Sequence, residues 1–398
     1  MSAPVRFSLY YAAFFLTMGA FLPFYGEWLK GRGLSPEWIG LIWAAGTIGR
    51  ALCSPLFALW ADSRPRRRDA LIVFAGLSLV LFLLHAPVRA PLVLMGLSFL
   101  VSAAFYGQIP MADSFAMRAS TRSGMDFGRI RAIGSAFFIL ANILAGLAYS
   151  GFDFGWAAFG GFGGEAILIW VLAGASLTLM AARTLPAGRR RRVTAGQAAG
   201  WRDLIPLLRS PFLLVLLASA GAQSAHGFYY ALSAVAWSDR GMSGALIGGL
   251  WGLGVLAEIG FFFLSGRWIF ARMGPASLLI IGCSASILRW GLTALAPPLW
   301  ALAPLQLLHA FSFAASYLGF LRYAAAHVPD RQAATAQSIN SALSGGLFTA
   351  LTSAASGYLY QRVGEAGFAA MIIPSAFGLI AALMLLRVRR LPHFGKMD

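Results

Sequence analysis

Apolar positions in this chain fall in long runs separated by short polar breaks. A run of about 20 residues is what a helix needs to cross a hydrocarbon core of roughly 30 Å. Such runs recur from end to end and predict twelve membrane-spanning helices, at 7 to 29, 37 to 61, 69 to 87, 91 to 117, 127 to 150, 157 to 182, 211 to 236, 244 to 266, 276 to 296, 299 to 322, 333 to 360 and 366 to 388. The predicted fold class is an all-α membrane protein. The first run has no small-residue cleavage site and leads straight into the second, so it reads as a retained helix in a mature chain that starts near Met1.

The longest break runs from Arg183 to Ser210 and carries Arg189, Arg190, Arg191 and Arg192 among Gly, Ala and Thr. That composition predicts a solvated linker whose charge run meets anionic lipid head groups. It divides a six-helix bundle at 1–182 from a second at 211–398, with the linker at 183–210.

The two halves resemble each other. At an offset of 208 residues Arg32-Gly-Leu-Ser35 matches Arg240-Gly-Met-Ser243, Ile39-Gly40 matches Ile247-Gly248, Trp43 meets Trp251, Gly46 meets Gly254 and Ile48 meets Leu256. Duplicated six-helix halves related by an axis along the membrane normal place substrate between them near the midplane and move by rocking. The same register sets Arg50 opposite Glu258, one helix position with opposite charge in the two halves.

Composition sharpens this picture. Of 398 residues 59% are apolar and 11% charged, against roughly a quarter charged in a soluble domain. The net charge of +17 is explained by sidedness and not by nucleic acid. With the N-terminus inside, cytoplasmic segments hold 24 of the 31 Lys and Arg, and the outer loops hold Lys30, Arg32, Arg89, Arg240 and Arg362. That asymmetry predicts a multi-pass inner-membrane protein with both termini in the cytoplasm. Cys53 and Cys283 fall inside spans, so they read as packing residues, and neither a disulfide framework nor a metal site is indicated.

Ionisable groups inside spans supply the candidate chemistry. A charge at the bilayer centre costs roughly 2.5 to 3.5 kcal/mol even on a permissive scale, so Arg50, Glu258 and Arg289 must face a wet cavity or one another. Register-fixing ion pairs would satisfy the same rule. Asp113 and Arg131 flank the break between the fourth and fifth runs and can pair across it. His309 lies mid-span with Gln306 one turn before, and His226 opens the run His226-Gly-Phe-Tyr229-Tyr230. A histidine titrates near neutral pH and suits proton traffic, though a packed, satisfied histidine is an equal reading. Phe228, Tyr229, Tyr230 and Trp237 can line a pocket for a ring or pack at the interface. No phosphate loop, paired metal-ligand histidines or Gly-x-Ser-x-Gly elbow is present, so an enzyme, a bound cofactor and ATP as the energy source are not expected.

The loop after the second run reads Ala58-Leu-Trp-Ala-Asp62-Ser-Arg64-Pro-Arg66-Arg67. It resembles the major facilitator signature loop, with Ala58 and Pro65 where glycines are usual, which implies a gating role for Asp62 and Arg66. Further resemblance lies in Phe21-Leu-Pro-Phe24 with Trp28-Leu-Lys30-Gly, Phe127-Gly-Arg-Ile-Arg131 with Gly134-Ser135, the stretch from His226 to Glu258, Arg289-Trp290-Gly291, His309, and Arg322-Tyr323. Together they are similar to the 3-phenylpropionate permease branch of the major facilitator superfamily, and more distantly to lactose permease and nucleoside proton symporters. The resemblance covers essentially the whole chain.

It implies that Asp113 and Arg131, eighteen positions apart, bind substrate as the acid–arginine pair of lactose permease does, and that Glu258, Arg289 and His309 correspond to its coupling residues. Ser312 and Gln306 stand where that permease has a glutamate and a lysine. The coupling proton is therefore expected on Glu258, with Asp113 second.

The expected function is uptake of a small aromatic or other organic carboxylate with a proton, the anion being held by Arg50, Arg289 or Arg131 and the pocket completed by His226, Tyr229 and Tyr230. Alternatives are a sugar or nucleoside proton symporter, an exporter of amphipathic compounds, and a membrane sensor or scaffold. The expected partners are a small-molecule substrate, protons and membrane lipid, with the protein acting as a monomer.

Overall fold

The computed structural model describes residues 1–62, 67–123, 125–150, 164–187, 211–265 and 272–389. Among the described residues every regular element is a helix, as expected from the sequence. Among the described residues ten helical stretches are long and apolar enough to cross a membrane. The last of them, Thr335–Val388, is 54 residues long, enough for two crossings at about 1.5 Å per residue. The helix α2, Pro36–Asp62, is also of crossing length at 27 residues. Large apolar side chains such as Leu92, Phe263 and Trp300 stand exposed, and lipid is the solvent that accepts them.

By its contacts the chain divides into two units, Met1–Thr194 with Tyr229–Gly252, and Ala195–Phe228 with Leu253–Asp398. In the first, α1 (Ala3–Gly31) runs through the interior, buried from Phe7 to Leu29 on nearly every face. A helix apolar all round is a core helix. It packs against α6 (Phe127–Tyr149) and α7 (Gly164–Thr184), and α2 packs against α4 (Pro91–Tyr106). Small residues permit these approaches: a Cβ at Gly19 would lie 2.5 Å from the Phe138 carbonyl oxygen, and one at Gly174 would lie 2.5 Å from the Thr17 hydroxyl. The helix α3 (Arg67–His85) and α5 (Gln108–Ser123) complete this part of the unit.

Residues 229–252 group with the first unit and not with the later helices that sequence order suggests. They form most of α9 (Gly227–Asp239) and the start of α10 (Gly244–Ser265). The cause is close backbone packing. A Cβ at Gly26 would meet the Ala231 carbonyl oxygen at 2.4 Å, one at Gly146 would meet that of Gly244 at 2.1 Å, and one at Gly248 would meet that of Asn142 at 2.0 Å.

The internal repeat has a structural cause. After α1 and after α9 the chain turns through Gly33 (φ 83°) and Gly241 (φ 78°), 208 residues apart, a backbone region that favours glycine. Each turn closes with the same two bonds, Leu34 N–H to Leu29 O and Gly33 N–H to Lys30 O in one, Met242 N–H to Trp237 O and Gly241 N–H to Ser238 O in the other. This is the Schellman arrangement, which satisfies carbonyls orphaned at a helix end. Pro36 then occupies the first position of α2, where a missing N–H is harmless. The matched tryptophans pack alike: Trp43 lies 6.2 Å from Phe21 at 30°, and Trp251 lies 4.2 Å from Tyr229 at 22°, again at the offset of 208.

The second unit contains α8 (Phe212–Ser224), the remainder of α10, α11 (Pro275–Thr293), α12 (Leu299–Leu307), α13 (Ser316–His327), α14 (Asp330–Ala342), α15 (Thr349–Val363) and α16 (Ile372–Arg389). The helix α8 packs on α16 and α13, and α11 on α16 and α13. Its helices are interrupted. Residues Ala310–Ala315 and Leu343–Phe348 form π turns, and α8 breaks at His226 before α9 begins. Such irregular backbone at membrane depth is tolerated where it is buried in protein or lines a cavity.

Candidate functional site

The second unit builds a polar cluster around Arg289 of α11, which is fully buried. Its Nη2 donates to Gln306 Oε1 at 2.8 Å. Its Nη1 lies 2.9 Å from His309 Nδ1, 3.4 Å from His226 Nε2 and 3.5 Å from the Ser312 hydroxyl. The guanidinium also sits 4.4 Å from the Trp290 ring centre.

Arginine has donors only, so each imidazole nitrogen facing it must accept. His309 therefore carries its hydrogen on Nε2, which lies 3.7 Å from Glu258 Oε2. His226 carries its hydrogen on Nδ1, which lies 3.1 Å and 3.2 Å from the carbonyls of Ala222 and Gln223. The two histidines hold opposite tautomers around one cation. A second proton on His309 would turn an N–H toward Arg289 and break that bond, so the charge state of His309 and the position of Arg289 are linked.

The first unit holds the other charged groups. Asp113 of α5 and Arg131 of α6 meet with Oδ1 and Nε 3.5 Å apart, each about a third exposed at 32% and 33%. Tyr11 of α1 donates to Asp113 Oδ1 at 2.6 Å. Arg131 lies 4.5 Å from the Phe15 ring centre and 5.7 Å from that of Tyr11. Arg50 of α2 is half-buried, 5.2 Å from the ring centre of Tyr106. Tyr229 is buried against Trp251, and Tyr230 is partly exposed with its ring 6.0 Å from the same tryptophan.

Of the groups read from the sequence, the fold thus gathers Arg289, His226, His309 and Glu258 into one cluster, and joins Asp113 to Arg131 in another. Arg66 and the side chain of Asp62 lie outside the described residues. Two residues escaped the sequence reading. Tyr11 reaches Asp113 across 102 positions, a contact that local pattern does not carry. Glu27 of α1 is 2% exposed, accepts a hydrogen bond from the Tyr149 hydroxyl and lies 3.9 Å from Lys30. Its signal was present, an acidic residue inside the first apolar run. Among the described residues no cluster of His, Cys, Asp and Glu fit to hold a metal occurs.

A family model described as "MFS_1 like family" matches residues 5–370. A relative from Escherichia coli (strain K12), described as "Probable 3-phenylpropionic acid transporter", is 31% identical over 378 residues, 93% of this chain and 95% of the relative. A maltose permease of Geobacillus stearothermophilus is 27% identical over 363 residues, 89% of this chain and 87% of the permease. The crystal structure of nucleoside transporter NupG matches with a TM-score of 0.76 at 18% identity, over 98% of this chain and 100% of that one. At that identity the likeness is one of fold.

Proposed function

This chain belongs to the MFS_1-like family of the major facilitator superfamily, multi-pass membrane transporters and not enzymes, and from that premise we propose that it takes up a small aromatic carboxylate such as 3-phenylpropionate together with a proton. The observation that carries the reading is the pairing of arginines inside membrane helices with titratable partners, Arg131 with Asp113 and Arg289 with His309 and, through it, Glu258. Cations inside membrane helices are costly and mark a ligand or ion pathway. The relative named for 3-phenylpropionic acid supports the substrate class.

In this reading Arg131, Arg289 or Arg50 attracts the anion, and Glu258 with His309 carries the proton through the cycle, Asp113 being the other candidate. His226, Tyr229 and Tyr230 belong to the substrate half of the scheme, and Asp62 and Arg66 to a cytoplasmic gate. The two six-helix bundles at 1–182 and 211–398 rock about the site, the linker at 183–210 joining them, in an inner membrane with both termini cytoplasmic.

A second reading is sugar or nucleoside symport, and the maltose permease match favours its sugar form. A competition assay in intact cells separates the two. Arylpropionates should block uptake of labelled 3-phenylpropionate while maltose and nucleosides do not, and competition in the reverse sense would replace the first reading with the second.

A further inference from the structure

Resting on the carboxylate-uptake reading, we propose that Arg131 is the receptor for the substrate carboxylate and that Asp113, freed as its counter-ion, accepts the accompanying proton. Two arginines with carboxylate or histidine partners are offered to an incoming anion, and their environments differ. Arg289 is fully buried, and both its Nη nitrogens are engaged by His309, His226, Ser312 and Gln306. A ligand could reach it only by dismantling that shell.

Arg131 is a third exposed. It meets Asp113 through Nε, and its guanidinium lies close to the rings of Phe15 and Tyr11. Among the described residues neither of its Nη nitrogens makes a hydrogen bond. An arginine steadied in this way presents the planar pair of donors that grips a carboxylate bidentately. The same two rings give an aryl group on that carboxylate a surface to pack against.

Charge balance then fixes the proton. Arg131 and ionised Asp113 together are neutral. Bringing in a second carboxylate leaves one guanidinium facing two anions, an excess negative charge at membrane depth. One proton from water, added to a carboxyl oxygen of Asp113, restores neutrality: Asp113 becomes an uncharged acid and the ligand anion becomes the partner of Arg131. The titratable groups facing Asp113 are Tyr11 and, beyond it, Tyr10 from α1, and Arg131 from α6; among the described residues α2, α3 and α4 bring no other. Tyr10 turns its hydroxyl away, to Gln108 Oε1 at 3.0 Å. The proton bound with substrate thus sits first on Asp113, and Glu258 serves a later step of the cycle.

The test is calorimetric titration of the purified full-length protein with 3-phenylpropionate in buffers of different ionisation enthalpy, which counts protons taken up per ligand bound. The intact protein should take up one proton per carboxylate, and the neutral 3-phenylpropanamide should bring none. Asp113→Asn should bind the carboxylate with no proton uptake, Asp113→Glu should retain uptake, and Arg131→Gln should weaken binding by about tenfold or more. Retained binding in Asp113→Asn also shows that the variant is folded; if it is not, the carboxylate and amide arms on the intact protein, with Asp113→Glu, still decide. Proton uptake that persists in Asp113→Asn or vanishes in Glu258→Gln, or undiminished binding by Arg131→Gln, would overturn this assignment and leave the transport reading standing. Failure of the intact protein to bind 3-phenylpropionate or benzoate would overturn the carboxylate reading itself, and this inference with it.

Discussion

Arg289 and Arg131 are the same residue type in the same kind of helix, yet their surroundings give them different tasks. The bonds around Arg289 are local in design, since Gln306, His309 and Ser312 follow one another at three-residue intervals along one broken helix. Removing the cation leaves Glu258 and two oriented histidines without it, and loss of one partner from a buried ionic network costs about 3 to 5 kcal/mol. Arg289→Met should therefore lower the unfolding temperature in detergent markedly, while an unchanged melt would show the cluster to be dispensable for stability. The Tyr11 hydroxyl, by contrast, donates to a carboxyl oxygen of Asp113, a bond that is stronger to a carboxylate than to the neutral acid, and a hydrogen bond to a charged group contributes about 1.5 to 3 kcal/mol. Tyr11→Phe should let Asp113 release Arg131 more readily and tighten carboxylate binding, by roughly tenfold at the lower bound; calorimetry that shows weaker binding would argue that the Tyr11 hydroxyl bonds to the ligand. Arg50, Glu258 and Arg289 were legible in the sequence because charge inside an apolar run is costly wherever it occurs. Tyr11 was not, because its partner is set by how α1 lies against α5.

The helices show which kinds of regularity a sequence carries. The offset of 208 residues was readable because the glycine turns at Gly33 and Gly241 demand a residue type at a fixed place. The breaks at His226, Ala310–Ala315 and Leu343–Phe348 were not, since no proline or charge marks them and their stability comes from tertiary partners such as the Arg289 cluster. Nor did sequence order foretell that residues 229–252 would pack on α1 and α6, a contact decided by three close backbone approaches. Overpacking such a contact costs about 1 to 3 kcal/mol. In a variant lacking Cys53 and Cys283, a cysteine replacing the buried Val235 should react with a membrane-impermeant maleimide faster when Gly248→Leu is added. Gly249→Leu is the control, because a Cβ there meets nothing within 4 Å. Equal rates in the two variants would show that the approach of Gly248 to α6 does not hold this segment in place.

For the whole molecule, the apolar runs, the basic asymmetry and the repeat were enough to read a duplicated multi-pass membrane protein, because membrane solvation constrains composition and length so strongly. Its place among major facilitator transporters was carried by the resemblance of the signature loop and the other motifs. Substrate identity was not legible to the same degree, since one fold serves many ligands. The charge balance at Arg131 and Asp113 has a consequence at this scale. One carboxylate moving with one proton is electroneutral, so a membrane potential, worth about 2.3 kcal/mol per charge per 100 mV, should not drive it. A potassium diffusion potential imposed with valinomycin should leave the uptake rate unchanged, and acceleration by an inside-negative potential would mean more than one proton per anion. The pH gradient remains as the driving force, at about 1.4 kcal/mol per unit, a factor of ten in concentration. The most direct test of proton-coupled carboxylate uptake is accumulation of labelled 3-phenylpropionate in proteoliposomes with the lumen one pH unit above the bath, beside protein-free liposomes and Glu258→Gln. The expected result is accumulation that rises toward about tenfold over the bath faster than in protein-free liposomes, with the Glu258→Gln rate falling to that of the protein-free control. An initial rate no greater than in protein-free liposomes, or an undiminished rate in Glu258→Gln, would contradict it.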